Sequence, residues 1–212
     1  MLFNGCRSLK KINFPKWHTP KLEDMSYLFN RCLNLAEVTN LSKLSTSKVK
    51  NMTGLFNKCE TIVQITDIGG WSTHNLEKMD ILFQKCTSLD KISDLKWDTK
   101  NVKTMNGVFS MCYKLKTVPH TIGKWCTDNV KEMIGIFNEC VNLESIPDLG
   151  KWNVGSVTNA WGMFYKCHKL KTLPKGIISW RFNKDVVLNN ILEQCPCGNK
   201  QNIIDGWKKN IH

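Results

Sequence analysis

The chain has 212 residues, 42% hydrophobic and 23% charged, a balance that excludes a disordered segment and allows a sizeable buried core. Its formal charge of +12 comes from 27 Lys and only 3 Arg, which reads first as a well-solvated surface and second as a face for an acidic partner. No apolar run approaches the roughly 18 residues of a membrane span, and no basic start followed by an apolar stretch marks a secretory signal.

Met1 opens inside a pattern that recurs along the chain: Met, three residues, Phe, two residues, Cys, two residues, Leu. It is clearest at Met133, Phe137, Cys140 and Leu143. The Phe falls at Phe3, Phe29, Phe56, Phe83, Phe109, Phe137 and Phe164, and the Cys at Cys6, Cys32, Cys59, Cys86, Cys112, Cys140 and Cys167, spaced 26 to 28 residues apart. Leu188, Leu192 and Cys195 form a worn eighth copy. A fixed period of this length is the signature of a stacked repeat array. Because the pattern is already under way at Met1, the first repeat is truncated. The chain is then either complete and cytoplasmic or a piece of a longer one.

Each unit continues the same way. Three residues after the Leu stands an Ile or Val (Ile12, Val38, Ile65, Ile92, Val118, Ile146), with Leu173 in the seventh unit. Pro follows directly at Pro119, Pro147 and Pro174. Then comes Trp (Trp17, Trp71, Trp97, Trp125, Trp152, Trp180), with Leu44 in its place once, and two residues later Thr at Thr19, Thr46, Thr73, Thr99 and Thr127. In the fourth unit Val102, Met105, Phe109 and Cys112 step by three and four, which predicts a short helix with one apolar stripe. Thr99 is its expected N-cap. The Leu-x-x-Ile half reads as a short strand that a following Pro would end, with either the Leu or the Ile at a bend. The reading is an α/β, leucine-rich-repeat-like solenoid of about eight coils, one short strand and one short helix per coil. Seven steps at the ~4.8 Å strand spacing give an array on the order of 34 Å long. Residues 1–174 form the array, and 175–212 the degenerate last repeat and a C-terminal cap. No comparable cap precedes Phe3, which leaves a further stretch of chain or another subunit to cover that end.

The whole phrase, best seen from Trp97 through Thr99, Val102 and Met105 to Phe109, resembles the repeat of the BspA-like leucine-rich-repeat surface proteins, including the mycoplasma-type surface lipoprotein repeat. The resemblance covers roughly residues 1–174. It implies a solenoid on a cell surface, used for adhesion or protein recognition, and no shared catalytic motif. Two departures stand out. This sequence shows no leader, and it has Cys and Leu where many members have a small residue and Phe.

Several features carry possible chemistry. The Cys column reads as a reduced, buried row whose thiols offer weak donors to backbone carbonyls. Cys195-Pro-Cys197 lacks the second pair that a zinc site needs, so no metal and no cofactor are expected. The Trp column reads as core filling rather than a stacking platform, with Trp161 and Trp207 outside it and Trp161 on a helix. Lys recurs one residue before the Trp position, at Lys16, Lys43, Lys96, Lys124 and Lys151. Stacking would make these a stripe, which is either a solvated face or an anion-binding one. His18, His74, His120, His168 and His212 share no column, and no catalytic constellation stands out. The expected function is a non-enzymatic scaffold that recognises another protein, adhesin-like or surface-associated. The alternative is an intracellular polyanion-binding module using the lysine stripes. Location follows the same division: cell surface by resemblance, cytoplasmic if the chain is complete.

Overall fold

The computed structural model describes residues 2–14 and 17–211. The Leu-x-x-Ile segments pair in parallel, as expected. β1 (Lys11–Asn13) pairs β2 (Glu37–Thr39) with Ile12 opposite Val38, and β3 (Gln64–Ile65) pairs β4 (Lys91–Ile92) with Ile65 opposite Ile92. Further along, where Pro follows the Ile or Val position, pairing shrinks to a single bridge, Thr117 to Ser145. A proline has no N–H to extend a ladder. The Leu of each unit lies before the strand and closes a turn on the Cys, as in Leu35 N–H to Cys32 O at 3.0 Å. That places the bend at the Leu.

Among the described residues the expected repeat helices are absent. Over residues 99–112 the backbone forms successive turns, and the one α-helix among the described residues is α1 (Lys200–Lys209). The backbone hydrogen bonds show why. Met25, Tyr27, Phe29 and Arg31 donate their N–H groups to Asn51, Thr53, Leu55 and Asn57 of the next coil, at 2.8–2.9 Å. The alternate residues Leu28, Asn30 and Cys32 donate to the carbonyl three positions back, at 3.1–3.3 Å. Every N–H from 27 to 32 is thus satisfied without an α-helical bond, half within the coil and half between coils. The pattern continues along the array, with parallel bridges from Asp24 to Asn51, Lys78, Thr104, Glu132, Asn159 and Val187.

Two residues per coil take left-handed φ to make these turns. One set is Tyr27, Gly54, Ile81, Gly107, Gly135, Gly162 and Asn190; the other is Arg31, Lys58, Lys85, Met111, Glu139, Lys166 and Gln194. A helix cannot contain them. The three-and-four spacing that suggested a helix is also the spacing of chained β-turns, because each turn brings the fourth residue back to the same side. Geometry favours turns as well. Packed helices need 8–10 Å, whereas hydrogen-bonded strands need about 4.8 Å, so turns let both sides of each coil run at one spacing. The Thr at its fixed repeat phase does not cap a helix. It opens a turn on its Val, and where its hydroxyl bonds it reaches the next coil: Thr99 to Cys126 O at 2.9 Å and Thr127 to Asn153 O at 2.8 Å.

The core runs between the two hydrogen-bonded sides as one continuous cluster. Phe rings from Phe3 to Phe164 stack at 5.4–5.9 Å between centroids. Trp rings from Trp71 to Trp180 stack at 6.0–6.4 Å, within 10° of parallel. These offset stacks suit the aromatic quadrupole and fix the lateral register of successive coils. Trp207 belongs to this column, contrary to the reading from sequence. It arrives on α1 rather than at the repeat phase, stacks on Trp180 at 5.8 Å and donates its indole N–H to Ile177 O at 2.7 Å. Its neighbour on α1, Ile203, is fully buried.

Candidate interaction surfaces

The reactive-looking residues go first into the core. From Cys32 to Cys167 each column thiol donates to the carbonyl of the preceding coil's Phe: Cys59 to Phe29 O at 3.2 Å, Cys86 to Phe56 O at 3.1 Å, Cys140 to Phe109 O at 3.0 Å. Burial pushes the Cys86 and Cys167 thiols up to about 12 and raises Cys59, Cys112 and Cys140 well above the ordinary range. Such thiols are poor nucleophiles and poor metal ligands. Cys195 departs from the reduced column: it is disulfide-bonded to Cys197, two residues on. Cys6 is exposed and Cys126 half-buried. The indoles of Trp71, Trp97 and Trp152 are likewise spent on preceding-coil carbonyls, at 2.9–3.0 Å. Among the described residues no group of three or more His, Cys, Asp or Glu converges as a metal site. No helix there is long and apolar enough to cross a membrane.

The lysines before the Trp column fare differently. Lys43, Lys96, Lys124 and Lys151 are exposed, and Lys16 lies outside the described residues. Lys43 and Lys124 end 3-10 turns, Leu41–Lys43 and His120–Lys124. Acidic side chains interleave with them. The cleft that includes Lys96 is also lined by Asp67 and Asp94, and Asp94 lies 3.1 Å from the ring of His120.

A longer groove, of about 530 Å³, runs beside the bridge ladder and is lined by Lys50, Glu77, Lys103 and Lys131 with Asn75, Asn101 and Asn129. Sequence reading did not single it out, although the signal was there: the charged residues follow, and the asparagines precede, the Leu or Val of each Thr turn at one phase. The asparagines are clasps. Their amides donate to Ser47, His74 and Lys100 carbonyls at 2.6–2.8 Å and fix the groove wall. The charges alternate along the stack. Glu23 pairs Lys50 at 3.3 Å and Glu77 pairs Lys103 at 2.6 Å. The Lys103 ammonium, by hydrogen bond and charge, holds the Glu77 carboxyl below its usual range. Lys131 makes no ion pair among the described residues. The groove therefore presents an ordered row of both signs with one free cation at its end.

Stacked parallel coils with a strand on one side, a continuous aromatic core and variable polar residues outside define a leucine-rich-repeat-like solenoid. Comparison with solved structures agrees. The chain is similar to a leucine-rich repeat protein of T. pallidum (TpLRR), at 20% identity and a TM-score of 0.51, over 82% of this chain and 69% of that one. It also matches a leucine-rich repeat protein of Bacteroides ovatus, at 18% identity and a TM-score of 0.34, over 91% of this chain and 66% of that one. The chain belongs to the family described as Mycoplasma protein of unknown function, DUF285, whose model matches residues 1–115 and again 91–207. That family agrees with the resemblance to BspA-like repeats. No curated protein matches the chain.

Proposed function

We propose that this chain is a non-enzymatic recognition scaffold for another protein, adhesin-like or surface-associated, built of about eight coils: an array over residues 1–174, then a degenerate last repeat and a C-terminal cap over 175–212. The observation that carries it is the division of labour in the repeat. The Met, Phe, Cys, Leu and Trp positions are consumed by the core, and what varies from coil to coil is displayed on regular, hydrogen-bonded faces. Repeat arrays bind partners through such extended surfaces. The groove from Lys50 to Lys131 is the surface best suited to a protein, since alternating charge discriminates between partners rather than attracting any anion. The polyanion reading is weaker because Asp67 and Asp94 interrupt the lysine face near Lys96.

The test is surface-plasmon binding to a panel of immobilised cell-surface and matrix proteins and to heparin, across a salt series. Saturable binding to a protein, lost in the double variant Lys103→Glu, Lys131→Glu, supports the scaffold. Heparin binding that falls steeply with salt and disappears when Lys43, Lys96, Lys124 and Lys151 become Gln would replace it with the polyanion module. Binding to none of these surfaces would sink both.

A further inference from the structure

On the turn side of the array, a shallow trough of about 390 Å³ is lined by four successive coils, from Ile81 to Tyr165. Its bed exists because of the left-handed column. Tyr27 and Ile81 stand in that column on the N-terminal side, but Gly107, Gly135 and Gly162 follow, and no side chain projects from them. At one end the half-buried Trp161 and Tyr165 form an aromatic wall, their centroids 6.0 Å apart.

The floor carries a second, independent observation. Residues one after the Phe form a column of their own, and near the N-terminus it is an amide ladder: Asn30 donates to Asn4 and Asn57 to Asn30, each at 2.8 Å. The ladder then stops. Ser110 and Asn138 are only 4% and 9% exposed. Both line the trough, and among the described residues neither side chain has a hydrogen-bond partner. The Asn138 amide lies where a Cβ on Gly135 or Gly162 would meet it, at 3.7 and 3.5 Å from its nitrogen. The neighbouring Gln84 amide likewise has no side-chain hydrogen-bond partner among the described residues. Nearly buried hydroxyl and amide groups left open toward a cavity are what a polar ligand would satisfy.

We propose that this trough binds a neutral saccharide. A pyranose has one face of polarised C–H groups, which packs on the negative face of an indole, here Trp161. Its edge hydroxyls both donate and accept, as the Ser110 hydroxyl and the Asn138 and Gln84 amides do. Charge excludes the main competitor. Glu139 and Lys166 at the rim lie 3.9 Å apart, and Lys166 also sits 4.9 Å from the Tyr165 ring centroid. Among the described residues no unpaired cation lines the bed to hold a phosphate. This site is separate from the Lys50–Lys131 groove and does not depend on its role.

The test is ligand-observed NMR saturation transfer, with intrinsic fluorescence alongside, on the full chain. The probes are methyl β-glucoside, lactose, cellobiose and chitobiose, with adenosine monophosphate and sialyllactose as charged comparisons. At least one neutral sugar should bind saturably. Trp161→Ala should weaken it by about tenfold or more. Ser110→Ala should weaken it by about threefold to tenfold, the worth of one hydrogen bond. Gly107→Asn fills the bed with a residue that tolerates left-handed φ, and its Cβ would stand 3.3 Å from the Ile81 γ-methyl and 3.4 Å from the flexible end of Gln84. It should abolish binding while the thermal transition is kept. Absence of saturable binding by every neutral sugar to well-folded protein would overturn the proposal. So would equal binding by Gly107→Asn, or tighter binding of either charged probe.

Discussion

Raising the pH should unfold this protein through its thiols. A group whose pKa is raised by folding favours the native state only while it is protonated in both states. Above the ordinary thiol value of 9.0 the unfolded chain loses the proton and the folded chain, with Cys86 at about 12, does not. Native protein then binds more protons than unfolded, so stability falls as pH rises. Each such thiol removes about 1.4 kcal/mol per pH unit across the interval from 9 to 12. Cys86 and Cys167 together remove about 3 kcal/mol per unit, and burial raises Cys59, Cys112 and Cys140 well above the ordinary value as well. A domain stable by about 5–15 kcal/mol should lose its fold within roughly two to three units above pH 9. Circular dichroism against pH, in reductant at constant ionic strength, follows the transition. Lys and Tyr deprotonation contribute in the same range, so Cys86→Val with Cys167→Val is the control, and it should move the midpoint upward. A chain still folded at pH 12, or a control with an unmoved midpoint, would refute the argument that buried thiols govern the alkaline limit.

Other outcomes follow from the same packing. At pH 8, alkylation of the native chain should modify Cys6 and Cys126 quickly and the buried column thiols from Cys32 to Cys167 only after denaturant, read by mass spectrometry. Trp125→Ala removes a ring stacked between Trp97 and Trp152 and should cost about 3–5 kcal/mol in urea denaturation. Ile81→Asn relieves a β-branched residue at φ 48° and should raise stability by about 1 kcal/mol, provided the contacts over Gly107 are minor.

The period, the core positions and the strand pairing were legible because burial constrains them: Phe109, Cys112 and Leu115 are each fully buried at their repeat phase. The helix was misread because hydrophobic spacing reports which side a residue faces, not where its N–H bonds. The deciding information was the left-handed column, and Tyr27, Ile81, Lys85 and Met111 hide it by standing where glycine would advertise it. Trp207 was missed for a related reason. It reaches the column through α1, at a place no repeat phase marks. The groove and the trough depend on residues that vary between coils, and one sequence cannot say which of those variations share a surface until the coils are stacked.

The turn side has a consequence for how such an array can acquire function. A helical flank presents side chains about 10 Å apart from coil to coil, whereas this flank presents equivalent residues at the strand spacing of about 4.8 Å. Neighbouring coils can then share one small ligand, as Ser110 and Asn138 would, or complete one charge row, as Glu77 and Lys103 do. A change of one residue in one coil alters a site without touching the core. The left-handed column makes this concrete, because its glycines open a bed and its side-chain residues close it. Gly54 lies under the Tyr27 ring, whereas Gly135 lies beside the Asn138 amide. Exchanging Ile81 and Gly107 should therefore fill the bed and abolish sugar binding at little cost in stability, a result that thermal denaturation and sugar titration of the double variant can check. A swapped chain that folds equally well but keeps its binding at the original place would show that the column does not define the site.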